Sequence, residues 1–273
     1  IHTIATTAYL DQKPGTSGLR KKVLVFQQAH YLENFVQSIL DQAGDLTGKT
    51  LVLGGDGRYH NRSAIQTIIK LAAAKGVGRL LVGRGGLLST PAVSCIIRKY
   101  GAAGGFVLSA SHNPGGPDGD FGIKYNIANG SPAPEVFTNA VFAASKAITS
   151  YRIAELPDIG LDYLGDHRFD DFQVQIVDSV ADYTELMASL FDFNRIRAAF
   201  ANASLSIRFD AMHAVTGPYA LQILERQLGA PAGSVINAVP LEDFGGGHPD
   251  HNLTHAPELA KLMYSEQAPV LGA

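Results

Sequence analysis

Three side chains able to carry group-transfer chemistry lie within the stretch Val107–Asn126: the hydroxyl of Ser111, the imidazole of His112 and the amine of Lys124. A hydroxyl is a weak nucleophile, so it needs a rigid seat and a group that handles its proton. The local sequence offers such a seat. The apolar run Gly105 to Leu108 predicts a buried strand, and Ser111-His112-Asn113-Pro114-Gly115-Gly116 predicts a sharp turn after it. Pro114 fixes one dihedral and removes a donor, while the paired glycines accept positive φ and allow close backbone approach. Lys124 falls in a second segment, Phe121 to Ile127, which is expected to return beside the first. Two readings fit this spacing: a group-transfer loop, or a structural turn in which Ser and Asn close the backbone. Adjacent residues on an extended chain point to opposite faces, which argues against a protease-type couple of Ser111 with His112. His112 then reads as a phosphate or substrate contact, or as a hydrogen-bonded turn residue.

The elements that must position these groups alternate along the chain. Thr50–Leu53, Arg79–Val82 and Gly105–Leu108 read as strands. Between them, Ile65, Ile68, Ile69, Ala72 and Ala73 form one helical face closed by Gly76. Thr90 is expected as an N-cap with Pro91 at the first helical position, and Val93, Ile96, Ile97 and Tyr100 as the buried stripe. Cys95 lies off that stripe's centre and reads as an inert helix residue. From Tyr151 to Phe172 the periodicity fades into an irregular excursion. A stripe of Val180, Tyr183, Met187 and Leu190 then leads to a second pattern: strand Leu205–Phe209, helix Thr216–Leu228 capped by Gly229, and strand Ser234–Ala238. The alternation predicts an α/β fold with helices on the faces of a sheet, whose ligands gather at the carboxyl ends of strands, where Ser111 would stand.

Composition narrows the function class. The 273 residues are 46% hydrophobic and 17% charged, with a net charge of −3 and one cysteine. That balance describes a globular chain without a disulfide framework. It contains no basic block for nucleic acid or an anionic membrane. No apolar run approaches membrane-spanning length, and Ile1–Asp11 lacks the regions of a signal peptide, so a cytoplasmic location is expected.

The serine stretch closely resembles the active-serine loop of the α-D-phosphohexomutases, in detail that of the phosphoglucomutase branch. Other motifs follow in the family's order: Lys13-Pro14-Gly15-Thr16-Ser17-Gly18-Leu19-Arg20, Gly54-Gly55-Asp56-Gly57-Arg58, Leu88-Ser89-Thr90-Pro91, Phe209-Asp210-Ala211-Met212-His213, and Glu242-Asp243-Phe244-Gly245-Gly246-Gly247-His248-Pro249-Asp250. The resemblance implies a mixed sheet sandwiched between helices over residues 1–182. A second α/β domain of similar type would follow over 183–273, truncated before a metal-binding loop. It implies interconversion of glucose 1-phosphate and glucose 6-phosphate through a phosphoserine and glucose 1,6-bisphosphate. Catalytic roles would fall on Ser111, Lys124 and His112. Phosphate or substrate contacts would fall on Thr16, Ser17, Arg20, Ser111, His112, Asn113 and Lys124. One Mg2+ would bind a phosphoserine oxygen at Ser111, together with aspartates of an Asp-Gly-Asp-Gly-Asp loop that this chain lacks. Further C-terminal domains of the same polypeptide are implied, and these 273 residues alone are expected to have little mutase activity. A non-catalytic binding relative, or a mutase for mannose or glucosamine phosphate, remains open.

Other motifs give weaker signals. Gly15-Thr16-Ser17-Gly18 reads as a linker turn by itself and as a phosphate-cradling turn by the resemblance. Gly54-Gly55-Asp56-Gly57-Arg58 reads as a strand-to-helix turn supporting the cleft, not as a dinucleotide fingerprint. Asp118-Gly119-Asp120 reads as a solvated turn. His248, His251 and His255 have a spacing that zinc can use, but the Gly, Pro and Asp around them favour a plain loop.

Overall fold

Leu51–Leu53 and Gly104–Leu108 are buried at every residue, so their side chains cannot alternate between core and solvent. Such strands need cover on both faces, which is the condition of a parallel sheet with helices on each side. The computed structural model describes residues 1–15, 18–250 and 252–273. In chain order the strands are β1 (His2–Ala5), β2 (Leu19–Lys22), β3 (Thr50–Gly55), β4 (Arg79–Leu87), β5 (Gly104–Leu108), β6 (Asp120–Ile127), β7 (Ser150–Ile153), β8 (Gly165–Phe169), β9 (Phe172–Val177), β10 (Ile207–Asp210), β11 (Val235–Ile236) and β12 (Leu271–Gly272). The helices are α1 (Val23–Phe26), α2 (Tyr31–Gln42), α3 (Asn61–Ala74), α4 (Thr90–Tyr100), α5 (Glu135–Ala147), α6 (Ala181–Leu190), α7 (Phe193–Ala201), α8 (Thr216–Ala220) and α9 (Pro257–Met263).

The main sheet runs β2-β6-β5-β3-β4-β9-β8. Its centre, β5-β3-β4-β9, is parallel, and β6 turns back antiparallel to β5 with Lys124 opposite Val107. The expected mixed sheet is therefore present. One core cluster packs residues such as Phe35, Ile65 and Phe106 against α2 and α3. A second, holding Val52, Leu81, Val93 and Ile97, fills the opposite face under α4. A separate three-stranded parallel sheet, β11-β10-β12, follows in sequence. No helix of the described residues is long and apolar enough to cross a membrane.

Several local expectations need correction. The N-cap of α4 is Ser89, whose hydroxyl accepts from the Ala92 amide, so Thr90 already lies within the helix. Tyr100 is 41% exposed, whereas Cys95 is buried against α6. Tyr100 occupies the last turn, beyond the part of the helix that covers the sheet. The excursion Tyr151–Phe172 contains β7 and β8; β8 is an edge strand paired to β9, and its charged outer face hides the apolar alternation. Leu190 at the end of the α6 stripe is exposed, and Thr184 is buried instead. The helix after Thr216 widens into a π-helix over Leu221–Gln227, closed by the Leu228 amide donating to the Ile223 carbonyl. Hydrophobic spacing carries no signal for that change of register. Asp120 is no solvated turn residue either: it opens β6, and its carboxylate is held by Lys22 at 2.9 Å and by the Asn113 amide at 2.8 Å.

Ser89 also donates its amide to the Tyr219 hydroxyl at 3.1 Å, linking α4 to α8. Ser89→Ala is expected to destabilise the protein by about 1 kcal/mol, while Thr90→Ala changes stability by no more than about 0.5 kcal/mol. Chemical denaturation of the two variants checks the cap assignment.

Candidate active site

The turn after β5 departs from ordinary backbone at the residue that matters most. Ser111 has φ +56°, in the left-handed region that a side-chain-bearing residue enters at a cost of about 1–2 kcal/mol. It is exposed at the carboxyl end of the sheet, and its amide donates to the Ser109 hydroxyl at 3.0 Å. The glycines play different parts. Gly116 supplies a positive φ of +85°, whereas Gly115 is needed because a Cβ there would meet the Phe244 ring at 2.8 Å and the Glu242 carbonyl at 2.9 Å.

A fully buried guanidinium holds this turn. Arg58 Nε donates to the Asp56 carboxylate at 2.9 and 3.1 Å. Its remaining nitrogens donate to the carbonyls of Ser111 at 2.7 Å, Asp120 at 2.8 Å and Asn113 at 3.3 Å. A buried charge is tolerated only when paired and saturated with hydrogen bonds, and Arg58 meets both conditions. Asp56 and Arg58 stand directly after β3, because β3 lies next to β5 and its end must open beside the serine turn. Phe244, 3% exposed and itself at φ +55°, lies over the guanidinium at 5.1 Å. The Glu242 carbonyl accepts from the amides of Tyr59 at 2.8 Å and Gly116 at 3.1 Å. The turn is thus clamped from the sheet below and from the segment after β11.

Two cations share one face of the antiparallel pair β2-β6. Arg20 pairs with Gly122, and Lys124 is two residues further along that strand. Gly18 permits this approach: a Cβ there would lie 2.6 Å from the Lys124 Cβ. Arg20 Nε is buried with no hydrogen-bond partner among the described residues, as expected of a group that awaits an anion. Burial, reinforced by the charge of Arg20 and opposed by Asp56, pushes the Lys124 amine below the ordinary lysine range.

The other expected residues are distributed unevenly. His112 is exposed beside Ser111. The Asn113 amide nitrogen donates to Asp120 and braces the turn. Thr16 and Ser17 lie outside the described residues, although Gly15 and Gly18 on either side exchange backbone hydrogen bonds at 3.0 and 3.1 Å. Sequence reasoning found the supporting role of the Gly54–Arg58 turn but missed Arg58 itself. The available signal was an acid and a base separated by one glycine immediately after a wholly apolar strand. No trio of carboxylate or imidazole donors gathers at Ser111 among the described residues.

Residues 11–152 match the family described as phosphoglucomutase/phosphomannomutase, alpha/beta/alpha domain I. The chain belongs to that family. It is 60% identical over 273 residues to the phosphoglucomutase of Rhizobium radiobacter, which covers all of this chain and 50% of that relative. To phosphoglucomutase-1 of Homo sapiens it is 54% identical over 275 residues, covering 97% of this chain and 49% of the relative. The open form of the Paramecium phosphoprotein pp63/parafusin, a phosphoglucomutase, superposes with a TM-score of 0.95 at 45% identity, covering 99% of this chain and 52% of that one. The chain therefore spans about half the length of the family members it matches.

Removing one partner of a buried, hydrogen-bonded ion pair costs about 3–5 kcal/mol. Arg58→Met is expected to destabilise the protein by that order. Phe244→Ala, which leaves the ion pair intact, should raise amide hydrogen exchange at residues 111–116. Exchange measurements on both variants test the clamp.

Proposed function

We propose that this chain supplies the nucleophile-bearing half of a phosphoglucomutase, with Ser111 as the phosphoryl carrier, within two domains, 1–182 and 183–273. What supports this reading is the pairing of two features: Ser111 sits in a left-handed turn after β5, and the adjoining β2-β6 pair carries the cationic groups of Arg20 and Lys124 on one face. Phosphoryl transfer asks little covalent work of a protein beyond alignment and charge neutralisation. Arg20, with an unpartnered guanidinium nitrogen, suits a phosphate; His112 stands in solvent next to Ser111 and suits a sugar-phosphate contact.

In the first half-reaction the free hydroxyl oxygen of glucose 1-phosphate bonds to phosphorus as the bond from Ser111 Oγ to phosphorus breaks. Lys124, neutral at a lower pH than an ordinary lysine, takes the sugar proton. The exposed Ser111 oxygen takes a proton from water. In the second half-reaction Ser111 Oγ gives its proton back to water as it bonds to the other phosphorus of glucose 1,6-bisphosphate. The bond from that phosphorus to the C1 oxygen breaks, and Lys124 returns its proton to that departing oxygen. Magnesium is the ion the family implies. Near Ser111, however, Asp56 is committed to Arg58 and Asp120 to Lys22 and Asn113, so among the described residues neither carboxylate is free for the ion, and a phosphoserine oxygen at Ser111 would be the donor. The proton and phosphoryl steps above therefore run through Ser111 and Lys124.

Incubation of the complete polypeptide with radiolabelled glucose 1,6-bisphosphate should label Ser111 and nothing else; a labelled Ser111→Ala variant would reject the assignment. Lys124→Met is expected to lower kcat by about 10²–10⁴-fold. Because the Lys124 pKa is lowered, the wild-type rate should rise with pH through a value below the usual lysine range. Arg20→Ala removes a neighbouring positive charge and should move that rise to higher pH. A profile unchanged in both variants would exclude Lys124 as the proton acceptor.

A further inference from the structure

The loop between the short 3-10 turn Phe244–Gly246 and α9 holds chemistry that the Ser111 reading leaves unused. His248, Asp250 and His255 come together there, and the three ligand atoms they offer all lie within 4.8 Å of one another. The two imidazoles stack almost parallel, with ring centroids 4.1 Å apart and an interplanar angle of 13°. His248 Nδ1 is buried and has no hydrogen-bond partner among the described residues. Such an orphaned polar atom is unfavourable unless something satisfies it.

The loop's backbone is arranged so that this grouping persists. The Asp250 amide donates to the His248 carbonyl at 2.8 Å, which folds the acid back toward the imidazole. The Asn252 side chain accepts from the amides of Thr254 at 2.9 Å and His255 at 3.2 Å, which turns the chain so that His255 faces His248. A chain reversal fixed by Asn252 thus joins residues seven positions apart in sequence.

We propose that His248, Asp250 and His255 form a binding site for a zinc-class divalent cation. Two neutral imidazoles and a carboxylate suit a borderline ion such as zinc, whereas magnesium prefers a shell of oxygens. Donors on one tetrahedral zinc sit about 3.3 Å apart, from bond lengths of roughly 2.0–2.2 Å. The present spacing therefore needs a contraction on the order of 1 Å, within the rotamer freedom of the exposed His255. Three protein ligands leave a fourth position for water. The ion would tie together the loop between Phe244 and α9, the same Phe244 that covers Arg58.

The test is equilibrium binding of zinc alone to the metal-stripped protein in excess magnesium, which occupies hard-ion sites. One equivalent of zinc is expected to bind at micromolar or lower concentration. His255→Ala should weaken binding about 100-fold or more. Since His255 is exposed, this change leaves folding intact, which circular dichroism confirms. His255→Cys, which replaces imidazole with thiolate, should restore binding. Cobalt substituted for zinc should give visible ligand-field bands that vanish in the His248→Ala, His255→Ala double variant. Absence of saturable zinc binding, equal affinity in wild type and His255→Ala, or failure of His255→Cys to restore it would overturn the proposal.

Discussion

The pairing of Arg58 with Asp56 is the constraint on which the serine turn depends. A guanidinium with no exposed surface is tolerable only because its charge meets a carboxylate and its remaining hydrogens meet backbone carbonyls. Two of those carbonyls, of Ser111 and Asn113, belong to the turn itself, and the third, of Asp120, opens the strand that follows it. The same bonds that make the buried charge acceptable therefore stabilise an otherwise unfavourable left-handed serine. Adjacent parallel strands supply the rest of the arrangement: β3 and β5 end side by side, so a residue just past one can reach the loop just past the other.

Charge around the site is divided by depth. Arg58 is neutralised by Asp56 and acts as structure. Arg20 and Lys124 lie on the neighbouring β2-β6 pair with no carboxylate among the described residues bonded to either, and the charge of Arg20 raises the electrostatic cost of charging Lys124. Such a pair of cations is poorly satisfied alone and well suited to a dianionic phosphate. Net charge gives no hint of it: the chain is mildly acidic overall, and the positive character is strictly local.

Much of the site was legible in the sequence because its determinants are local. A wholly apolar strand followed by Asn-Pro-Gly-Gly fixes a turn at Ser111, and a second apolar segment ending in Ile127 returns Lys124 alongside. Arg58 was hidden for the opposite reason. Arginine is normally exposed, and only tertiary contacts with Ser111, Asn113 and Asp120 reverse that expectation. The β8 edge strand escaped notice because Asp166, His167 and Arg168 interrupt the apolar pattern where one face meets solvent. Ser89 was displaced by Thr90 as the expected cap because both residues suit the role, and the choice rests on the Tyr219 hydroxyl far away in sequence. The widened turn over Leu221–Gln227 depends on backbone register, to which side-chain periodicity is blind.

Gly115 has a consequence for motion. It is small because the Phe244 ring and the Glu242 carbonyl press against it, so the floor under the serine turn is built from chain that connects β11 to β12 of the second sheet. Sliding one sheet past the other would break the Glu242 bonds to Tyr59 and Gly116 and uncover the Arg58 guanidinium. These contacts oppose a hinge at that seam. Under the proposed function, any opening above Ser111 would then come from structure on the solvent side of the turn.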